Sequence, residues 1–208
     1  MKDAQGNPVL GRTHWKRFAA VMVPTTAAAG ALTLMMANGA LAASVAVSGQ
    51  SFKIKAKELH GFGFAQFGGV DVSKDPVTKK TTNQPVAISV IDHAFLTDMC
   101  QSVKVPSPIG SIVVTINAGK NKDVEADRLV VDAAQLSGNA TFKEIEIGVD
   151  AANIDKAHKK GPEGLFAQQA DEVTITDLRQ VAWKTTAGTF KLSGLNLGLK
   201  LNGDECFE

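Results

Sequence analysis

The stretch "ADRLVVDAAQLSGNATFKEIEIGV", residues 126–149, alternates apolar and polar side chains on both sides of a break at Ser137-Gly138-Asn139. A period of two residues indicates β-strands with one apolar and one polar face. The small and turn-forming residues at the break are typical of a bend or a connection. The apolar face needs a second apolar layer against it, because a sheet cannot leave a continuous apolar face in water.

Further stretches after residue 50 show the same alternation or short apolar runs, separated by Gly, Asn, Pro and Ser clusters: "SFKIKAKELHGFGFAQF", "PVAISVI", "GSIVVTINAG", "DEVTITDLRQVAW" and "GTFKLSGLNLGLKL". They predict seven or more strands. The charged stretch "DAANIDKAHKKGPEG" predicts a solvated loop with at most a short turn. The expected fold is all-β, an antiparallel sandwich or a folded-over β-groove of repeated amphipathic strands.

Two stretches of the chain are similar in sequence. "ADRLVVDA" begins at Ala126 and "ADEVTITD" begins at Ala170, and each is followed by a strand that starts "TFK", at Thr141 and Thr189. The similarity predicts a hairpin-like unit that is used at least twice. Amphipathic strands also converge on similar words through composition alone, and the sequence leaves both interpretations open.

The N-terminal segment indicates export. The basic stretch "GRTHWKR" precedes a long run without charge, from Phe18 until Lys53. Within this run, Ala40, Leu41 and Ala42 match the small-residue pattern of a signal-peptide cleavage site. We therefore expect the protein to be targeted across a membrane.

Residues 1–42 are predicted to be either a signal peptide or one N-terminal transmembrane helix that anchors the chain. The uncharged run exceeds the roughly 7 to 15 residues of a typical signal sequence and is long enough to span a bilayer, which takes about 20. Basic residues before the run predict a cytoplasmic N-terminus in both cases. Residues 43–208 are then an exported β domain, located in the cell envelope or outside the cell.

The charge pattern excludes nucleic acid as a partner. The formal net charge of the chain is +1, and its basic excess lies in the N-terminal segment. The rest of the chain has no Lys/Arg cluster interleaved with aromatic residues, which nucleic-acid binding requires.

No metal or cofactor is predicted either. The histidines His60, His93 and His158 are scattered, without the ligand spacing of a zinc site. Asp71, Asp75, Asp123 and Asp127 lack the closely spaced acids of a calcium loop.

The chain contains two cysteines, Cys100 and Cys206. In an oxidising compartment, an even pair predicts one disulfide, which here would link the middle of the chain to its third-last residue. Two unpaired buried thiols are the alternative.

Several stretches of the exported part have specific wording: "GFGFAQFGGVDV", "LTDMCQSV", "ADRLVVDAAQLSGNATFKEIEIGVDA", "GLFAQQADEVTITDLRQVAWKTTAGTFKLSGLNL" and the ending "GDECF". Together they resemble a family of exported actinobacterial proteins of unassigned function, some of which carry an automatic label of cholesterol esterase. The resemblance implies a single-domain exported β protein, with Cys100 and Cys206 at the family's "CQSV" and "ECF" positions. Members of the family are often encoded near a small multi-pass membrane protein, which the resemblance makes a candidate partner. The resemblance supplies no catalytic residues.

Ester hydrolysis finds no support in the residues. The chain has no G-x-S-x-G motif, and its "VSG", "GSI" and "LSG" words are typical of β-turns. His60 and His93 lie in apparent strands, and there is no βαβ pattern of an α/β-hydrolase. A lipid ester hydrolase is therefore only the second alternative.

The sequence predicts a non-enzymatic exported envelope protein that binds lipid or membrane through an amphipathic sheet. A self-assembling extracellular structural protein, and hence a homo-oligomer, is the first alternative. Phe62 and Phe64 are expected on the same side of their strand, with Phe67 joining them only through a bulge. The residues predicted to form the apolar contact surface are Phe62, Phe64, Leu129, Val131, Phe142, Ile145, Ile147, Val173, Ile175, Phe190, Leu192, Leu195 and Leu197.

Overall fold

The computed structural model describes Met22 and residues 50–74, 81–107 and 109–208. Apart from Met22, these residues belong to one compact unit, Val45–Glu208. The predicted signal peptide or anchor, with its cleavage site at Ala40, Leu41 and Ala42, lies outside the described residues. Within the described part, no helix has the length and apolar character needed to cross a membrane.

Strands dominate the described unit, which confirms the all-β antiparallel prediction. Long alternating stretches form long strands because each side chain finds the same apolar or polar environment as its neighbour two residues away. The nine strands are β1 (Phe52–Lys74), β2 (Thr81–Thr97), β3 (Met99–Ser107), β4 (Gly110–Ala118), β5 (Val124–Lys143), β6 (Glu146–Asp150), β7 (Phe166–Thr186), β8 (Thr189–Lys191) and β9 (Asn196–Leu201).

The sheet folds over and closes on itself. β1 pairs with β2, β2 with β5, β5 with β7, and β7 again with β1, and every pairing is antiparallel. The inner face of this one sheet therefore supplies both walls of the main core, and no separate sheet is needed to cover it.

The remaining strands extend the closed part. The start of β1 pairs with β3, and β4 and β9 follow at that end of the sheet, while β6 pairs with β7 and β8 with β5. β2 and β3 are separated only by Asp98, whose backbone is left-handed at φ 50°. One long segment thus lies along β1 over most of its length.

In β1, β2, β5 and β7, the alternation of inward and outward side chains reverses once, at the same height of the folded sheet. In a regular strand, residues on one face are an even number of positions apart. Here, each of the four strands has two core residues that are three positions apart, one on either side of the reversal. Cross-strand pairing joins them into two layers, one of Gly61, Ala94, Ala126 and Val173, and one of Phe64, Ile91, Leu129 and Ala170. Gly63 and Arg128, at the reversal, have positive φ angles of 67° and 50°.

This reversal corrects the expectation for the phenylalanines. Phe64 is buried in the main core, whereas Phe62 is 38% exposed on the outer face. Phe62 and Phe64 therefore do not share a side, because the left-handed turn at Gly63 shifts the phase between them. Phe67 is buried in a second apolar cluster.

That second cluster lies beneath the segment predicted to be a solvated loop. Ala151 and Ile154 have no exposed surface and pack in the same cluster as Ala65 and Phe67. Residues Ala151–Asn153 form a single 3-10 turn. The segment is thus partly a cover for the sheet, because its few apolar residues are placed where they contact the strands, while Lys159 and Lys160 are exposed.

A disulfide joins Cys100 to Cys206, with their Cα atoms 5.9 Å apart, which confirms the predicted pairing. The C-terminal segment is held against β1 and β3 by further contacts. Lys53 Nζ lies 2.9 Å from a Glu205 carboxylate oxygen, and the Cys206 N–H donates to Ser102 Oγ at 3.0 Å. The bond therefore fixes the last residues to the sheet.

Cys100→Ser should lower the free energy of unfolding by up to about 4 to 5 kcal/mol, because the oxidised bond closes a loop of about 100 residues in the unfolded chain. Chemical denaturation under oxidising conditions measures the loss. Cys206→Ser and the double variant should give the same loss, since all three remove the same bond. Additive losses in the double variant would contradict this explanation.

Candidate functional site

The folded sheet encloses a cavity of about 120 Å³ whose walls are mainly apolar. This is close to the size of an engineered cavity of about 150 Å³ that stays dry and binds benzene. It is smaller than a drug-sized site, which occupies roughly 300 to 1,000 Å³. Five of the predicted contact residues line it: Phe64, Leu129, Val131, Phe142 and Ile175.

The second half of β5 forms the open side of the cavity. Leu136, 42% exposed, and Ala140 line the cavity, and this half of β5 pairs with β7 but not with β2. The pairing of β5 with β7 is irregular between Ser137 and Asn139. Gly138 is required in this position, because a Cβ would lie 2.7 Å from Ile175 Cγ2 and the backbone φ is 154°.

One end of the cavity is polar and internally satisfied. Gln168 Nε2 donates to Gln66 Oε1 at 2.9 Å, and Gln66 Nε2 donates to Ser89 Oγ at 2.9 Å. The three residues are neighbours across β7, β1 and β2. The serine in this cavity therefore has a glutamine as its partner, and among the described residues no histidine is hydrogen-bonded to it as the base of a hydrolase would be.

Gln180 has a different environment. It is 5% exposed, lines the same cavity, and its Nε2 has no hydrogen-bond partner. A smaller cavity of about 20 Å³ adjoins the first and is lined by Gln180 and Thr185, whose Oγ1 is also buried without a partner. Such groups are rare in native proteins because an unmade buried hydrogen bond costs free energy.

The other predicted contact residues lie elsewhere. Val173 is fully buried in the main core and Leu192 is half-buried beside it. Phe190, 38% exposed, lines the smaller cavity beside Gln180 and Thr185. The rest are exposed to different degrees on the outside: Phe62, Ile145, Ile147, Leu195 and Leu197. The predicted set thus divides between an interior cavity and outer surfaces, and its contact with lipid or a partner stays a prediction.

Sequence reasoning missed the polar cavity residues Gln66, Ser89, Gln168 and Gln180. Each occupies an inward position of its strand, where the alternation predicts an apolar residue. A polar residue at an apolar position is a signal of an internal site, and "LRQVA" around Gln180 contains it.

The outer face carries polar and aromatic side-chain contacts at the level of the reversal. His93 Nδ1 lies 2.5 Å from Asp127 Oδ1, and the His60 ring lies 4.6 Å from the ring of Phe62. Lys143, hydrogen-bonded at 2.7 Å, lowers the pKa of Glu172 below its ordinary value. Across the described ranges, no group of three or more His, Cys, Asp or Glu side chains is placed to hold a metal ion.

Burial raises the pKa of Asp132 above its ordinary value of 3.8, and repulsion from Asp71 adds to the shift. The folded protein therefore loses stability as the pH rises from 3.8 through the folded-state pKa, because the charged form is disfavoured. Asp132→Asn should leave Tm unchanged at pH ~3 and raise it at pH ~7. Thermal unfolding at both pH values tests this, and an equal gain at both would contradict it.

The comparisons with known proteins place the chain in a family but assign no activity. The model of DUF6230, described as a family of unknown function, matches residues 48–207. The searches of curated proteins and of solved structures gave no match. The family match says nothing of an actinobacterial origin or of the esterase label that the resemblance implied.

Proposed function

The chain belongs to the DUF6230 family, and we propose that it is a non-enzymatic, exported protein of the cell envelope that holds an apolar, lipid-type ligand inside its folded sheet. The supporting observation is the interior cavity of about 120 Å³. Ten of the residues that line it are apolar, and four are polar but uncharged. A cavity of this composition favours an apolar occupant, because burying apolar surface is favourable and a charged group would lack a partner.

The cavity dimensions limit the ligand. A volume below that of a drug-sized site holds a small apolar molecule or one end of an aliphatic chain, rather than a whole lipid. β7 contributes Gln168, Ile175, Leu178 and Gln180 to the lining. Leu136 and Ala140 mark the side from which a longer chain would enter.

Vapour of n-hexane should raise the Tm of the full-length chain, because a ligand that binds only the folded state stabilises it by mass action. Ala140→Trp places a bulky side chain at the open side and should abolish the rise. Thr141→Trp, at the next exposed position of the same strand and outside the cavity lining, should keep it. No rise in the wild type, or an equal rise in Ala140→Trp, would overturn the proposal. Native mass spectrometry of the full-length chain then identifies any apolar molecule that copurifies.

An exposed leucine edge favours self-assembly as a second function. Leu197, Leu199 and Leu201 of β9 are 56%, 65% and 54% exposed and alternate onto one face. Within the described residues β9 pairs only with β4, which leaves its other edge unpaired. Apolar edge strands of this kind tend to pair with another chain.

Leu199→Lys should shift the full-length chain to a smaller species in light scattering if β9 is an interface between copies, since a charge would be buried there. Ile147→Lys, at a similarly exposed aliphatic residue on β6, is the matched control and should leave the species unchanged. A monomeric wild type excludes this function.

A further inference from the structure

Two unpartnered polar atoms line the smaller cavity inside the folded sheet. Gln180 Nε2 and Thr185 Oγ1 are both buried, and neither makes a hydrogen bond. The larger cavity has its own polar residues, Gln66, Ser89 and Gln168, but these bond to one another. The unmet hydrogen-bonding capacity of the interior is therefore concentrated at one place.

The smaller cavity has the size of one oxygen-containing group. Its volume is about 20 Å³, and a single water needs roughly 10 to 15 Å³ by this kind of measure. It shares walls with the larger cavity at Leu59, Leu129, Val131 and Leu178. A ligand oxygen placed beside Gln180 would thus have its apolar part directed into the larger space.

The ligand oxygen must be uncharged. None of the described residues that line the two cavities is a lysine, an arginine or a histidine. A carboxylate buried here would have no cation to compensate its lost hydration, which is strongly unfavourable. A ketone, ester or aldehyde oxygen, by contrast, needs only the donors that are present.

We propose that the cavity binds an aliphatic chain that carries one neutral carbonyl oxygen, with Gln180 Nε2 donating to that oxygen and the chain lying among Phe64, Leu129 and Ile175. This rests on the proposed function and names its ligand class. Gln180 thereby acts as the residue that distinguishes an oxygenated chain from a plain hydrocarbon, because only the oxygenated chain satisfies its N–H.

The test compares 2-octanone with 2-methyl-1-octene, in which a CH₂ group replaces the carbonyl oxygen at nearly the same shape. Both are supplied to the full-length chain through the vapour at equal thermodynamic activity, so that their different solubilities in water cancel. Displacement of a fluorescent apolar probe measures their relative affinities. The wild type should prefer the ketone roughly tenfold, the effect of one hydrogen bond to an otherwise unsatisfied donor.

Gln180→Met keeps the side-chain length and removes the donor, so it should retain alkene binding and reduce the preference to about one. Gln168→Met, which removes a cavity glutamine that already has a partner, should keep the preference. Thr185→Val provides a second variant at the smaller cavity and should reduce the preference in part.

The outcomes separate this inference from the function on which it rests. Equal binding of ketone and alkene by the wild type would mean that a retained water satisfies Gln180, and would overturn the inference while the apolar cavity stands. A preference that persists in Gln180→Met would also overturn it. Binding of neither compound by the wild type would refute the proposed function itself.

Discussion

The structure depends on the double pairing of one short part of β5. At residues 130–133, β5 hydrogen-bonds to β2 along one edge and to β7 along the other. Because β1 pairs with both β2 and β7, this contact closes the sheet around its own apolar face. The described unit needs no helix to cover the core, and both walls of the cavity are fixed by backbone hydrogen bonds.

The same strand also opens the interior. After Ala133, β5 loses its pairing with β2 and continues beside β7 through an irregular register. Its second half then carries Leu136 and Ala140, which are exposed yet line the cavity. Closure and access are thus consecutive parts of one strand, separated by the register shifts between Asp132 and Gln135.

The sequence predicts strands reliably here and their faces less well. Alternation identified the strands and the all-β class, and cysteine parity identified the disulfide. Alternation assigned Phe62 and Phe64 to one face because it continues the two-residue period across Gly63. The left-handed backbone at Gly63 reverses that period. Alternation also cannot distinguish the inner core from the outer cluster under Ile154, because both faces are apolar there. Gln180 was missed because a glutamine in a strand is unusual only when its face of the sheet is enclosed, and alternation does not show which face that is.

The disulfide makes the two faces of the sheet different near β9, where three leucines are exposed. The C-terminal segment, held by Cys206, contacts the face of β3 that carries Ser102, which is 1% exposed. Cross-strand register and alternation place Leu197, Leu199 and Leu201 on the opposite face of the sheet. Interior binding and surface association thus use different strands, so a substitution at Leu199 leaves the cavity intact, and one at Gln180 leaves the β9 edge intact.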